Sequence, residues 1–111
     1  FDEKTFSKIT PSGYTSNWYA TSTAVAREQG FITDYARSNI NEDFAEMASI
    51  MLVNSKAEYE AILNAITSTT AKASIKSKEA VVVKYFKDAF GIDFYKLRDE
   101  AEKNTNAVIN G

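Results

Sequence analysis

From Ile40 onward, Ile40, Phe44, Met47, Ala48, Met51 and Leu52 recur at helical spacing and at about 100° per residue fall on one stripe. A segment of this kind must bury one side against other elements, and the rest of the chain supplies partners of the same type. Ser55-Lys56-Ala57-Glu58 has the form of a capping box, with Tyr59, Ile62, Leu63 and Ile66 following as the inner face of a second helix. Ile75, Val82, Val83, Phe86 and Phe90 fit a third helical face, in spite of the strand preference of Val81-Val82-Val83, and Gly91 is placed to end it. Asp93 can cap a last helix with Phe94, Leu97 and Ala101 inward, fraying from Asn104 to Gly111. Thr23 to Gln29 is a short helix capped by Thr21 or Ser22 and closed by Gly30 in a left-handed conformation.

The segments between these are less regular. Residues 1–22 hold the chain's one proline, in Thr10-Pro11-Ser12-Gly13, then Tyr14, Trp18 and Tyr19 with little helical period, and read as an irregular arm. Thr67 to Ser74 is poor in large apolar residues and reads as a loop, although Ala71 to Ala73 could extend a helix. The expectation is one all-α domain over 1–111, with four to five helices across 23–106. At 111 residues, 44% apolar and 13% aromatic, the chain can form a compact core.

Charge excludes more than it suggests. A net charge of −2 gives no reason to expect a nucleic-acid surface. Lys72, Lys76, Lys78, Lys84 and Lys87 are expected on a solvated face rather than at a phosphate. No apolar run approaches the roughly 20 residues that span a bilayer. Cysteine is absent, which rules out disulfides and thiolate metal sites without deciding the compartment.

Within Tyr35-Ala36-Arg37-Ser38-Asn39-Ile40-Asn41-Glu42-Asp43-Phe44-Ala45-Glu46, two acids share a helical face. With Glu42 at 0°, Glu46 falls at about 40°, Ser49 at about −20° and Ala45 at about −60°, while Phe44, Met47 and Met51 lie opposite. Such a face can offer Glu42 to a cation while Glu46, one turn on, accepts a hydrogen bond from a ligand histidine. The competing readings are as physical. Asn39 and Glu42 have capping-box spacing, a first-turn carboxylate suits the helix dipole, Tyr35 can be a packing aromatic, and Arg37 can pair with Glu42 or Asp43 at the surface. A catalytic zinc takes three protein ligands, and this chain has no histidine and no cysteine to complete a set.

The stretch from Tyr35 to Glu46 resembles lethal-factor-type zinc metalloproteases, with Tyr35 seven residues before Glu42. The longer pattern is similar to the zinc-binding metallopeptidase family of substrate-import-associated bacterial lipoproteins. It runs through Asn17-Trp18-Tyr19, Gly30-Phe31-Ile32, Tyr35-Ala36 and Asn41 to Glu46, then Tyr85, Gly91-Ile92-Asp93 and Leu97-Arg98. The match is dense from about Tyr14 to Val53 and thin elsewhere.

This resemblance implies Glu42 as third zinc ligand, Glu46 as support behind the ligands, and Tyr35 as hydroxyl donor to the tetrahedral oxyanion. It implies a peptide or protein substrate, and a lipid-anchored place at the outer membrane beside import components. The His-Glu-x-x-His segment of such enzymes is missing from the chain, and the first residue is Phe1. The chain is therefore expected to be the C-terminal helical part of a larger zincin-like enzyme, with zinc in the full-length protein and none, and no activity, in the isolated piece. Asn17, Trp18 and Tyr19 are expected either to cover the core, the favoured placement, or to line a peptide groove. With the second, the chain would be a non-catalytic binding or scaffold domain of a surface lipoprotein.

Overall fold

The computed structural model describes residues 2–10 and 13–110, with side chains placed through Thr105. Six α-helices and two 3-10 turns make up the fold, and among the described residues there is no strand. The helices are α1 (Glu3–Ser7), α2 (Thr23–Arg27), α3 (Ile40–Val53), α4 (Lys56–Asn64), α5 (Thr69–Phe90) and α6 (Phe94–Asn110). The turns are Trp18–Ala20 and Tyr35–Arg37. The all-α class is as expected from the sequence.

α3 is the central element. It packs against α5 and α6, meets α1 and α4 at its edges, and carries the Tyr35–Arg37 turn along its side. At 22 residues α5 is about 33 Å long at 1.5 Å per residue, which draws the molecule out to 43 × 29 × 24 Å. The core joins Phe31, Ile32 and Ala36 of the loop before α3 to Met47, Met51, Tyr59, Leu63, Ile75, Val82 and Phe94.

Local chemistry sets most boundaries. Asp2 caps α1, Ser22 caps α2, Asn39 caps α3 and Ser68 caps α5, each through a side-chain oxygen accepting a backbone N–H. Ser55 and Glu58 form the full reciprocal box at α4, with bonds of 3.1 and 2.9 Å. Gly91 ends α5 at φ +66°, where its N–H reaches Lys87 O and the Ile92 N–H reaches Phe86 O.

Some expectations are corrected. The N-terminal arm contains α1, because Asp2 satisfies the Lys4 and Thr5 amides and Phe6 is buried as an anchor. Thr69 to Ser74 is the first part of α5 rather than a loop: Ser68 caps it, and the small Ala71 and Ser74 lie in the interior. The backbone stays helical past Asn104, to Asn110. Phe90, placed inward by its spacing, is 60% exposed and meets Tyr85 and Phe86 ring to ring.

The largest correction concerns charge. Lys78, grouped by sequence with a solvated face, is completely buried and forms an ion pair of 2.9 Å with the equally buried Asp43 of α3. Its ammonium also donates to Gly30 O at 2.8 Å and lies 4.2 Å from the centroid of the Phe31 ring. The Tyr14 hydroxyl donates to Asp43 Oδ2 at 2.8 Å. Burial pushes the Asp43 carboxyl up and the Lys78 ammonium down from their ordinary pKa values, and each is pulled back by the other.

Gly30 allows this arrangement. Its φ is +94°, and an added Cβ would lie 3.0 Å from Ser74 Cβ, so any side chain would push α5 away from the carbonyl that Lys78 uses.

Replacing one member of the pair leaves the other charged and buried. Lys78→Met is expected to lower unfolding free energy by about 3–5 kcal/mol in urea titrations, and Lys78→Met with Asp43→Leu to recover most of that loss. A second clamp joins α2 to the start of α5, where Glu28 accepts from Thr67 Oγ1, Thr67 N and Ser68 N at 2.6–3.0 Å. The Thr67 hydroxyl and backbone bonds hold the Glu28 pKa below its usual 4.5. With a folded value below the unfolded one, the stabilisation is present above the unfolded pKa and is lost as pH falls through the folded one. Glu28→Gln is expected to flatten that acid limb of the stability profile by lowering stability at neutral pH, and to leave stability below the folded pKa little changed.

Candidate metal-ligand and substrate face

α3 divides its acids between two environments. Asp43 begins the inner stripe that continues at Met47 and Met51, all of them buried. Glu42 and Glu46 stand on the other side with Ala45 and Ser49, both exposed, while the two acids are half-buried. Asp43 is therefore withdrawn from any ligand role by its burial and by Lys78 and Tyr14. That settles which of the adjacent acids faces outward: it is Glu42.

Glu42 also does not act as a capping partner. Asn39 Oδ1 accepts the Glu42 N–H at 3.0 Å, but the Glu42 carboxylate makes no hydrogen bond or ion pair among the described residues. At α4 the corresponding Glu58 carboxylate does reach back to Ser55 N. The same spacing thus ends in a closed box at one helix and an unengaged carboxylate at the other.

Glu46 holds the loop in front of it. The Thr33 hydroxyl donates to Glu46 Oε1 at 3.1 Å and accepts the Ala36 N–H at 3.1 Å, so one side chain connects α3 to the turn that carries Tyr35. Further bonds pin this loop: Arg27 Nε to Ile32 O at 2.8 Å, Asp34 N to Thr23 Oγ1 at 3.3 Å, and Tyr35 N to Asp34 Oδ1 at 2.7 Å. Ala36, wholly buried, anchors the turn from below.

Tyr35 is left on the surface at 39% exposure, with a hydroxyl that makes no hydrogen bond among the described residues. Its ring meets Trp18 edge to face at 4.9 Å, and Trp18 in turn meets Tyr19 at 5.7 Å. Asn17 and Tyr19 are exposed, and Trp18 is half-buried. Asn17 and Tyr19 thus stand outside the core, and the half-buried Trp18 joins Tyr19 in an aromatic wall beside Tyr35. Arg37 holds that wall through a bond of 3.1 Å to Trp18 O, and the Thr15 N–H donates to Arg37 O at 2.8 Å. Arg37 forms no ion pair with Glu42 or Asp43, because its guanidinium is turned to the aromatic segment.

Sequence reasoning missed the buried pair beneath this face, although a signal was present. Asp43 lies four and eight residues before Met47 and Met51, and Lys78 lies between Ile75 and Val82 on the inner side of α5. Opposite charges on two inner stripes are a pairing rule that the count of lysines concealed.

Among the described residues, no three side chains of histidine, cysteine, aspartate or glutamate come together as a metal site. The donors among the described residues do not by themselves make up the three-ligand set of a catalytic zinc.

A helical domain whose central helix leaves the Glu42 carboxylate unengaged and packs against the turn that carries Tyr35 is the class defined by fold and face. The chain belongs to the family described as "Putative zinc-binding metallo-peptidase", which matches residues 1–95. It is also similar to a solved structure described as a putative zinc-binding metallo-peptidase from Bacteroides caccae, at 30% identity and a TM-score of 0.87. That likeness covers 96% of this chain and 41% of the other, so the chain spans less than half the length of that protein. No curated protein matches.

Thr33→Val removes both bonds that tie the tyrosine turn to α3. The expected result is a folded protein in which the Ala36 amide exchanges about tenfold faster with deuterium, as befits the loss of roughly 1–1.5 kcal/mol of local hydrogen bonding.

Proposed function

We propose that this chain supplies the carboxylate side of a zinc peptidase site, with Glu42 as the third zinc ligand and Tyr35 as hydroxyl donor to the substrate carbonyl oxygen. The observation that carries this reading is the half-exposed Glu42 carboxylate, left unengaged while its neighbour Asp43 is fixed in the core. Family membership supports zinc and peptide-bond chemistry for the protein to which the chain contributes.

The roles follow from charge. Glu42 adds an anionic oxygen donor to ligands carried outside this chain, and Glu46, with one oxygen on Thr33, keeps a second for the N–H of a ligand histidine. Tyr35 donates to an oxygen whose negative charge is fully developed in the transition state, so its contribution falls on turnover more than on binding. Trp18 and Tyr19, beside Tyr35, offer flat apolar area to the extended peptide.

We also propose, from the sequence resemblance alone, a lipid-anchored location at the outer membrane in a substrate-import system. Among the described residues, no helix is long and apolar enough to cross a membrane.

A second reading is favoured by the aromatic wall: a binding or scaffold domain that engages a peptide or glycan without chemistry. The test uses the longer protein that carries this chain with a His-Glu-x-x-His segment. Bound zinc near one equivalent, strongly reduced by Glu42→Ala, together with a drop of about 10²–10³ in kcat at similar KM for Tyr35→Phe, is the expected result. Zinc retained in full by Glu42→Ala removes the ligand assignment. Activity unchanged by Tyr35→Phe removes the donor. Fractionation of the same preparation with or without membranes checks the location.

A further inference from the structure

A cleft of about 720 Å³ lies away from the carboxylate face, among α4, α5 and α6. Its size suits a small molecule rather than a lone ion. Lys56 of α4, Lys72 and Lys76 of α5 and Arg98 of α6 converge on it. The acids on the same walls are Glu60, Glu79 and Asp99. Glu79 is taken up by the Tyr95 hydroxyl at 2.7 Å, and burial, with that bond second to it, pushes the Tyr95 pKa up to about 12.

Two buried polar groups in this cleft lack adequate partners. Arg98 is 6% exposed, yet its guanidinium meets only Asp99 Oδ1, at 3.4 Å from both Nε and Nη2, and the Tyr95 ring at 5.1 Å. Contacts of that length leave donors of the guanidinium open toward the cleft. The Tyr59 hydroxyl is buried, and within reach of it is only the Glu79 carboxylate, which already accepts the Tyr95 hydroxyl. Burial, and the Glu79 carboxylate near it, keep Tyr59 a neutral phenol and therefore a donor. Both side chains line the cleft, and Leu63 and the Tyr95 ring complete an apolar wall between them.

We infer that this cleft binds a small organic oxyanion, a phosphate or carboxylate on a flat apolar body. Its oxyanion is held by Arg98, the Tyr59 hydroxyl and the Lys72 and Lys76 ammonium groups, and its body rests on Tyr95 and Leu63. Guanidinium and phenol donors match oxyanion lone pairs, and the lysines supply charge without demanding one geometry. The site shares no residue with the carboxylate face of α3, so it stands whether or not that face holds zinc.

Isothermal titration of the protein with phenyl phosphate, benzoate and inorganic phosphate tests the inference. Saturable binding of phenyl phosphate or benzoate is expected, with inorganic phosphate at least about tenfold weaker because it lacks the body. Lys72→Gln with Lys76→Gln changes side chains at the rim of the cleft and is expected to weaken binding about tenfold. Arg98→Met is expected to weaken it further if the variant folds. Lys84→Gln with Lys87→Gln removes the same charge from α5 outside the cleft and is expected to leave affinity unchanged. Absence of saturable binding, equal affinity for inorganic phosphate, or equal weakening by the two double variants would overturn the proposal.

Discussion

The ion pair between Asp43 and Lys78 is the constraint around which the rest is arranged. Two charges taken completely out of water cost several kcal/mol each unless partners are supplied, and the fold supplies them from four places, all on the Asp43 Oδ2 side, while the buried Oδ1 has no hydrogen bond among the described residues. Tyr14 comes from the N-terminal arm, Gly30 O and the Phe31 ring from the loop after α2, Asp43 from α3 and Lys78 from α5. Segments far apart in sequence thus meet at one ammonium group. The pair adds little net stability over an apolar pair of similar volume. Its effect is to fix the positions of α3, α5 and the intervening loop relative to one another.

That fixing reaches the outer face of α3. A helix whose inner face is held by Asp43, Met47 and Met51 can present only one opposite face, and Glu42 and Glu46 are on it. The loop secured at Gly30 leads into the turn that carries Tyr35, which Thr33 joins to Glu46. Outward carboxylate and surface tyrosine are therefore both referred to the same buried centre, as a site with demanding geometry requires.

Chain positions with identical local signals came to different ends. Asn39 with Glu42 and Ser55 with Glu58 have the same spacing, but only the second pair closes a reciprocal box. Five lysines that look alike along the chain also diverge: Lys78 is the buried ion-pair partner, Lys72 and Lys76 stand at a cleft, and Lys84 pairs with Asp88 on the surface. The all-α class, α3, the α4 box and the glycine ends of α2 and α5 were legible because each depends on residues within a turn or two. The start of α5 and the helix in the arm were not, because small residues such as Ala71 and Ser74 become helical through burial against neighbours that no local window contains.

By itself the sequence determined the helical periods, their caps and the two acids one turn apart on α3, since these are properties of adjacent residues. Tertiary structure alone decided that Asp43 is met there by Lys78 and Tyr14 while the Glu42 carboxylate is left unengaged. It also decided that Lys78 is buried, that Trp18 stands beside Tyr35, and that Arg98 opens into a cleft. The physical reason is common to all of these. The fate of a charge or an aromatic ring depends on the partners that desolvate or satisfy it, and here those partners come from other elements of the fold.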